Sequence, residues 1–517
     1  MVDPRTTDGP RSERGATVDE LASRSFDLLV IGGGIVGAAT AAHAARAGLA
    51  VALVDQGDFG GATSSASSKL IHGGLRYLRL GDVRLVREAH HERRTLTKVV
   101  APHLVHRFPF LLPLYEGGPF RPAFVQSGIL LYSALALSRL NWLVQPSRAR
   151  SLVPALRGEG LRSCALYADA WTNDARLCIA NVRAAAEAGA VVLNRAEVVA
   201  LRSARGRVSG AEVRADGQTV AVEARAVVNA TGPWVDHLRR LEQPSVGTSV
   251  RLSKGVHVLV PGGEGWSAAL TIPQDDVRVT FAVPWYGMLL LGTTDETFDG
   301  DPADVAVEPA DVEQILTEAA VALGSELVDA SLVRATYAGL RVLPAGPGES
   351  VNARRETVYS IGPGGMLSVA GGKLTTYRRI ALAVLERLGP TLGLRRVDTK
   401  PWPLPGADGS GGVLSAELEP DVRAHLLHLY GSRAADVLAP ARDEPSLLER
   451  LHPAGPDIAA QAVYAATHEW AVDGDDVLRR RTTVALRGLA DDDVRTRVEE
   501  LLAAQRVGLQ ADTTGST

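Results

Sequence analysis

Cysteine is nearly absent from this chain. Cys164 and Cys178 are the only two in 517 residues. They lack C-x-x-C spacing, which argues against a disulfide framework or a thiolate zinc site and fits a reducing cytoplasm. Excess charge of one sign is also lacking. Lys plus Arg number 55 and Asp plus Glu 59, a net charge of −4. Nothing draws the whole chain to nucleic acid, and no nucleic-acid-binding motif occurs. Long hydrophobic runs are missing too. The longest, Gly128 to Leu137, is too short to span a bilayer and is flanked by Arg121 and Arg139. It reads either as a core or partner-facing helix or as an interfacial helix lying on a membrane. Residues 1–25 are polar, without an apolar signal-like core, and read as a disordered tail. His90 and His91 are adjacent in a helical stretch and cannot share a face, so they read as polar residues on the helix surface; no metal site is expected.

What is present starts with hydrophobic content of 46%, enough for large cores, over a length that fits about three domains. The strongest pattern is FDLLVIGGGIVGAATAAHAARAGLAVALVD, Phe26 to Asp55. A short apolar strand runs into Gly32, Gly34 and Gly37, spaced G-x-G-x-x-G. Gly32 allows the turn, Gly34 lets a pyrophosphate approach, and Gly37 lets the next helix pack. An alanine-rich helix follows, then a second strand ending in Asp55, 18 residues after Gly37. A carboxylate there can accept hydrogen bonds from a ribose hydroxyl. The pattern reads as a dinucleotide site in an α/β fold. Alone it does not separate NAD from FAD.

Next comes a hydroxyl-rich loop. Thr63, Ser64, Ser65 and Ser68 can offer donors to phosphate or ribose, and Lys69, His72 and Arg76 stand beside Gly73 and Gly74. Further on, Asp174 to Ala188 reads as a helix and Ala190 to Leu193 as a strand, with Val198 just beyond. Ala226 to Asn229 is a buried strand entering Ala230-Thr231-Gly232. Short β-like runs fill 240–345, and GGKLTT from Gly371 to Thr376 opens a helix running to about Leu388. Helical periodicity returns over 413–508. Arg479 to Arg481 read there as a solvated, salt-bridged helix face or as a basic contact patch.

The block GATSSASSKLIHGGLRYL resembles the signature of FAD-dependent, quinone-linked glycerol-3-phosphate dehydrogenases. The likeness continues through DAWTNDARLCIAN at 169–181, with Asn173 where the family has an acid, and VVNATGPWV at 227–235. It includes Lys254 to His257, Gly292 to Asp295, YAGLRVLP at 337–344, with Val342 where the family has proline, and GGKLTTYR at 371–378. The resemblance implies a two-part FAD-binding Rossmann-like domain (26–100, 165–235 and 355–395). It also implies a β-rich substrate-binding and capping domain (101–164 and 236–354), a linker at 401–412, and a C-terminal helical domain at 413–508. Val198, Ala230, Thr231, Gly232, Gly372, Lys373, Leu374 and Thr375 would join the glycine loop, Asp55, Thr63, Ser64, Ser65, Ser68 and Lys69 around FAD.

The implied substrate is glycerol 3-phosphate, whose phosphate needs fixed cations. Arginine suits phosphate because its planar fork donates two hydrogen bonds. Arg76, Arg341 and Arg355 are the candidates, with His72 beside them. Alcohol oxidation also needs a proton acceptor. His257 and His72 are candidates, and an arginine-polarised alkoxide with no dedicated base is the alternative. Lys373, at a helix start, would favour the anionic reduced flavin. The resemblance further implies electrons passing to ubiquinone or menaquinone, peripheral contact with the inner face of the cell membrane, and compatibility with a homodimer. An oxygen-reducing oxidase, a hydroxy-acid or amino-acid oxidoreductase, a non-catalytic flavoprotein and an NAD-linked dehydrogenase are the rival readings.

Overall fold

The computed structural model describes residues 12–73, 83–120, 125–126, 128–129, 132, 142–275, 278–346, 357–409, 414 and 417–514. The first strand, Ser25–Ile31, is apolar and buried because it lies mid-sheet, parallel to Val51–Val54 on one side and Gln218–Asn229 on the other. Val191–Leu193 extends the sheet in parallel beyond Val51–Val54, and Leu367–Gly371 extends it beyond Gln218–Asn229. Thr357–Ile361 adds an antiparallel edge, and the hairpin Ala196–Ala204 with Arg207–Ala215 pairs onto Gln218–Asn229. The helices Ile35–Arg46, Asp174–Glu187 and Tyr377–Leu392 cover one face with a largely alanine, leucine and valine core. The opposite face is covered by Val18 and Leu21 and by the hairpin residues Val198, Val208 and Val213, so the strands are buried on both faces, hence the nearly unbroken apolar runs.

A second sheet follows. Val250–Pro261 is its spine, flanked by Met288–Gly292 and Ala335–Pro344, both antiparallel to it. Val279–Trp285, Ala269–Pro273, Val105–Tyr115 and Leu161–Thr172 continue outward, and Leu70–Ile71 closes that end. Strand Leu161–Thr172 pairs along its length with Val105–Tyr115. Residues 165–172 therefore belong to this sheet and not to the dinucleotide-binding part, a correction to the expected boundary. The change of layer falls at Asn173, whose side chain accepts the Arg176 N–H at 3.1 Å and caps the helix Asp174–Glu187.

Other expectations are corrected as well. Residues Ser12–Ser23 form a helix, where a tail was expected. Val18 and Leu21, three apart and so on one face, are fully buried. Arg14 anchors the helix through Asp216 at 2.8 Å and the Asn194 side chain at 3.0 Å. The expected linker packs where it is described: Leu404 is buried and donates its N–H to the Val100 carbonyl at 2.8 Å. Trp402 stands edge-on to His43 at 5.6 Å. His90 is buried against Tyr132, ring centroids 4.3 Å apart, while His91 faces solvent.

The C-terminal part is helical, with Leu426, Leu429, Tyr464, Leu478 and Val498 in its core. Buried ion pairs dock it on the first sheet's domain. Arg176 grips Glu469 with two hydrogen bonds, 2.5 and 2.7 Å. Asp58 takes Arg480 and Arg481 together. Arg481 has no exposed surface, so neither of the two expected readings of the triplet fits it; the pair with Asp58 is internal.

Removing Arg481 takes away the fully buried cation on Asp58 and leaves Arg480 to meet that charge. Arg481→Ala is therefore expected to lower unfolding free energy in urea denaturation by about 2–3 kcal/mol, less than the roughly 3–5 kcal/mol of a fully stranded charge. Arg479→Ala, whose exposed side chain meets Asp475 at 3.4 Å, should stay within about 1 kcal/mol of wild type.

Buried imidazoles give a second expectation. Burial holds His43, His103 and His106 down at about 4 and His90 and His428 at about 3. The unfolded chain would protonate them below about 6.5 while the folded chain does not. Stability should thus fall as pH drops below about 6.5, by up to about 1.4 kcal/mol per pH unit for each histidine. The buried carboxyls oppose this at lower pH but are fewer: Asp55, raised by burial to about 6, and Asp169 and Asp476, also raised by burial. Melting temperatures that do not decline from pH 7 to 5 would contradict this account.

Candidate active site

A cavity of about 520 Å³ is lined by both sheets. Its first wall is the turn from the first strand into the helix Ile35–Arg46. Gly34 is the N-cap, and Gly34, Ile35 and Val36 line the cavity. The helix thus aims its N–H groups and positive end at the space, the usual provision for a phosphate. Ser64 Oγ accepts the Ile35 N–H at 2.9 Å, which ties the serine loop to that end. Gly37 faces away from the cavity: a Cβ there would lie 1.9 Å from the Gly32 carbonyl oxygen, so only glycine lets the turn close.

The next wall carries Asp55. Its carboxylate accepts the Gly33 N–H at 2.6 Å and the Gly57 N–H at 2.8 Å. Burial raises it to about 6, while these two N–H groups and Arg195 pull it down. Arg195 and Ala196 donate their backbone N–H groups to Gly57 and Asp55 carbonyls at 2.9 and 2.7 Å, which brings Glu197 and Val198 to the same wall. Ala230, Thr231 and Gly232 follow the strand Gln218–Asn229 at the cavity edge.

The second sheet supplies the opposite side. Arg341, on Ala335–Pro344, is fixed before any ligand arrives. Its Nη2 donates to Thr293 Oγ1 at 2.8 Å and the Thr294 carbonyl at 2.9 Å, and its Nη1 to Ser253 Oγ and the Lys254 carbonyl, both at 3.3 Å. The guanidinium lies across Gly255, where a Cβ would meet Nη2 at 2.5 Å. His257, two residues on, is buried, with its ring stacked on Tyr337 at 4.8 Å. Its Nε2 and Ser68 Oγ share a hydrogen bond of 2.9 Å, and Nδ1 has no partner among the described residues. Burial first, then the Arg341 and Lys69 charges, hold this imidazole well below its ordinary range, so it is neutral.

The third side is the loop Gly371 to Thr375, ahead of the short turn Leu374–Thr376 and the helix Tyr377–Leu392. Thr375 Oγ1 accepts the His72 N–H and donates to the His72 carbonyl, both at 3.1 Å. Gly372, Lys373, Leu374 and His72 share this wall.

Most of the expected residues therefore meet at one cavity: Gly32, Gly34, Asp55, Thr63, Ser64, Ser68, His72, Val198, the Ala230–Gly232 turn, His257, Arg341 and the Gly372–Thr375 loop. Arg76 and Arg355 lie outside the described residues. Two expected ligand contacts are corrected. Lys69 is buried off the cavity wall, its Nζ held by Asp174 at 2.6 Å and the Ser65 carbonyl at 3.1 Å, so its charge is already matched. Ser65 does not line the cavity either; its hydroxyl turns to the Ala62 carbonyl. Trp234, His237, Arg195 and Arg480 line the cavity without having been anticipated. The arginine triplet was visible as a feature, but nothing local distinguishes a cavity arginine from a surface one.

The chain matches the family model described as FAD dependent oxidoreductase over residues 27–378. It matches the C-terminal domain of alpha-glycerophosphate oxidase over residues 397–511. It is 36% identical to the glycerol-3-phosphate dehydrogenase of Mycobacterium leprae, covering 94% of this chain and 86% of that one. It is 37% identical to glycerol-3-phosphate dehydrogenase 2 of Mycobacterium tuberculosis, covering 93% and 85%. The solved structure of the Bacillus halodurans glycerol-3-phosphate dehydrogenase, complexed with FAD, superimposes with a TM-score of 0.76 at 26% identity, covering 98% of this chain and 97% of that one.

The Gly255–Arg341 contact can be tested without any ligand. Gly255→Ala should cost about 1–3 kcal/mol of stability through overpacking. The same substitution made on an Arg341→Ala background should cost well under half as much, because the clashing group is gone. Equal costs on both backgrounds, read by urea unfolding, would mean that the guanidinium does not lie where described.

Proposed function

Because this chain belongs to the FAD-dependent oxidoreductase family and ends in a domain of the α-glycerophosphate oxidase type, we propose that it oxidises sn-glycerol 3-phosphate to dihydroxyacetone phosphate with FAD. The observation that carries the reading is the meeting of Arg341, His257, His72 and Lys373 on the same cavity as a dinucleotide-type glycine loop. The residues present fit the cofactor. The helix end at Gly34 suits a pyrophosphate, Asp55 a ribose hydroxyl, and the Gly371–Thr375 loop with Lys373 an electron-rich ring edge.

Bound FAD supplies a hydride acceptor at flavin N5. The chain does the rest. Arg341, positioned by Ser253, Thr293 and Thr294, supplies the fixed positive charge that orients the substrate phosphate. His257 is neutral and so in the form a proton acceptor needs. Its Nε2 reaches Ser68 Oγ, which lies on the cavity wall and can relay the hydroxyl proton. His72, latched to Thr375, closes the space between the serine loop and Lys373.

The electron acceptor in this reading is a membrane quinone, reached from the inner face of the cell membrane by peripheral contact. Among the described residues no helix is long and apolar enough to cross a membrane. The matched C-terminal domain description favours a second acceptor, molecular oxygen.

The test is an anaerobic absorbance spectrum of the purified protein. A yellow protein whose flavin band bleaches on adding glycerol 3-phosphate supports the reading, and re-oxidation by a quinone analogue or by oxygen then identifies the acceptor. No bleaching sinks the substrate assignment. Arg341→Ala should bleach about 30-fold to several thousand-fold less efficiently, the loss of about 2–5 kcal/mol expected for a buried charge contact.

A further inference from the structure

We propose that Arg480, from the C-terminal helical part, is a cofactor-binding residue at the adenosine end of the FAD cavity, so that docking of the C-terminal helices helps retain the cofactor. The inference rests on FAD as the occupant.

Arg480 lines the cavity beside Gln56, Gly57, Asp58 and Arg195. These residues surround Asp55, the acid at the end of the second strand, where a dinucleotide fold receives a ribose. This is the opposite end of the binding apparatus from Lys373 and His257. The side chain is 11% exposed. Its Nε donates to Asp58, and its Nη2 to Asp476 Oδ1 at 2.6 Å. Nη1 makes no hydrogen bond among the described residues, which leaves a fixed donor at the wall. The next residue, Arg481, holds Asp58 from a fully buried position and also donates to the Glu469 carbonyl at 2.5 Å. The two arginines thus divide the work: Arg481 latches the domains and Arg480 presents a cation to the cavity.

Local backbone geometry makes this division feasible. Val477–Arg481 is a π-turn, with the Thr482 N–H reaching the Val477 carbonyl at 2.9 Å. Such turns recur at functional sites. Here the turn brings two consecutive arginines to a single carboxylate, while Arg479 points to solvent. A guanidinium in this position can donate to ribose or adenine acceptors, or stack on the ring, and its fork is already oriented by Asp58 and Asp476.

The experiment uses full-length protein stripped of flavin, titrated with FAD and separately with FMN, which lacks the adenosine half, and followed by flavin fluorescence. Arg480→Gln should raise the Kd for FAD at least tenfold and leave that for FMN within twofold. Arg480→Lys, which keeps a cation for Asp58, should fold normally and show a smaller loss confined to FAD. Arg479→Ala should change neither. Wild-type FAD affinity in Arg480→Gln, or equal weakening of FAD and FMN, would overturn the proposal. A wild-type chain that takes up no FAD would overturn the cofactor reading itself, and this inference with it.

Discussion

Asp58 sits where three parts of the chain converge, and its burial sets terms for all of them. It lies three residues beyond Asp55, on the loop that leaves the second strand. Arg480 and Arg481 reach it from the C-terminal helices, and the Asn194 side chain donates to it at 3.2 Å. A carboxylate this deep is tolerated only if its charge is met, since removing it from water costs several kcal/mol. The two guanidinium groups outweigh burial and hold Asp58 below its ordinary range. The loop that shapes the cavity and the docking of a separate helical part are therefore one electrostatic problem with one solution.

The same device recurs around the cavity. Lys69 meets Asp174, Arg93 meets Asp169, Arg176 meets Glu469, and Arg378 takes Glu92 in a fork at 2.7 and 3.0 Å. Each pair joins segments distant in sequence, and most lie just behind a cavity wall. Asp174 holds the serine loop through Ser67 at 2.7 Å, and Asp169 holds Gly73 at 2.9 Å. Such pairs add little net stability over an apolar substitute. What they provide is fixed geometry, which a site needs if its groups are to be placed before the ligand arrives.

This explains which residues were legible in the sequence. The glycine loop, Asp55, the Ala230–Gly232 turn and the Gly371–Thr375 loop carry backbone requirements, and a backbone requirement shows up as glycine at fixed spacing. Arg341 and His257 sat in long patterned blocks. Lys69 stood in an equally strong block but lies off the cavity wall, paired with Asp174 105 residues away, a pairing that only the fold makes. Arg480 was passed over for the converse reason: its cavity neighbours lie more than 280 residues earlier in the chain. The N-terminal helix was hidden because two apolar residues and one arginine, in a polar stretch, suffice once Asn194 and Asp216 are there to receive Arg14.

The charges around His257 also bear on when it can act. Burial and the positive neighbours Arg341 and Lys69 keep the imidazole from accepting a proton in the bare cavity. Lys69 is paired with Asp174 and Arg341 with Asp295 at 3.5 Å, so burial is the larger cause and the two cations add to it. A phosphate dianion held beside Arg341 would add negative charge near the ring, which raises its basicity. The histidine would then become an effective proton acceptor only with substrate in place. A group that is a poor base when alone cannot drain protons from solvent or carry a buried charge through the empty state.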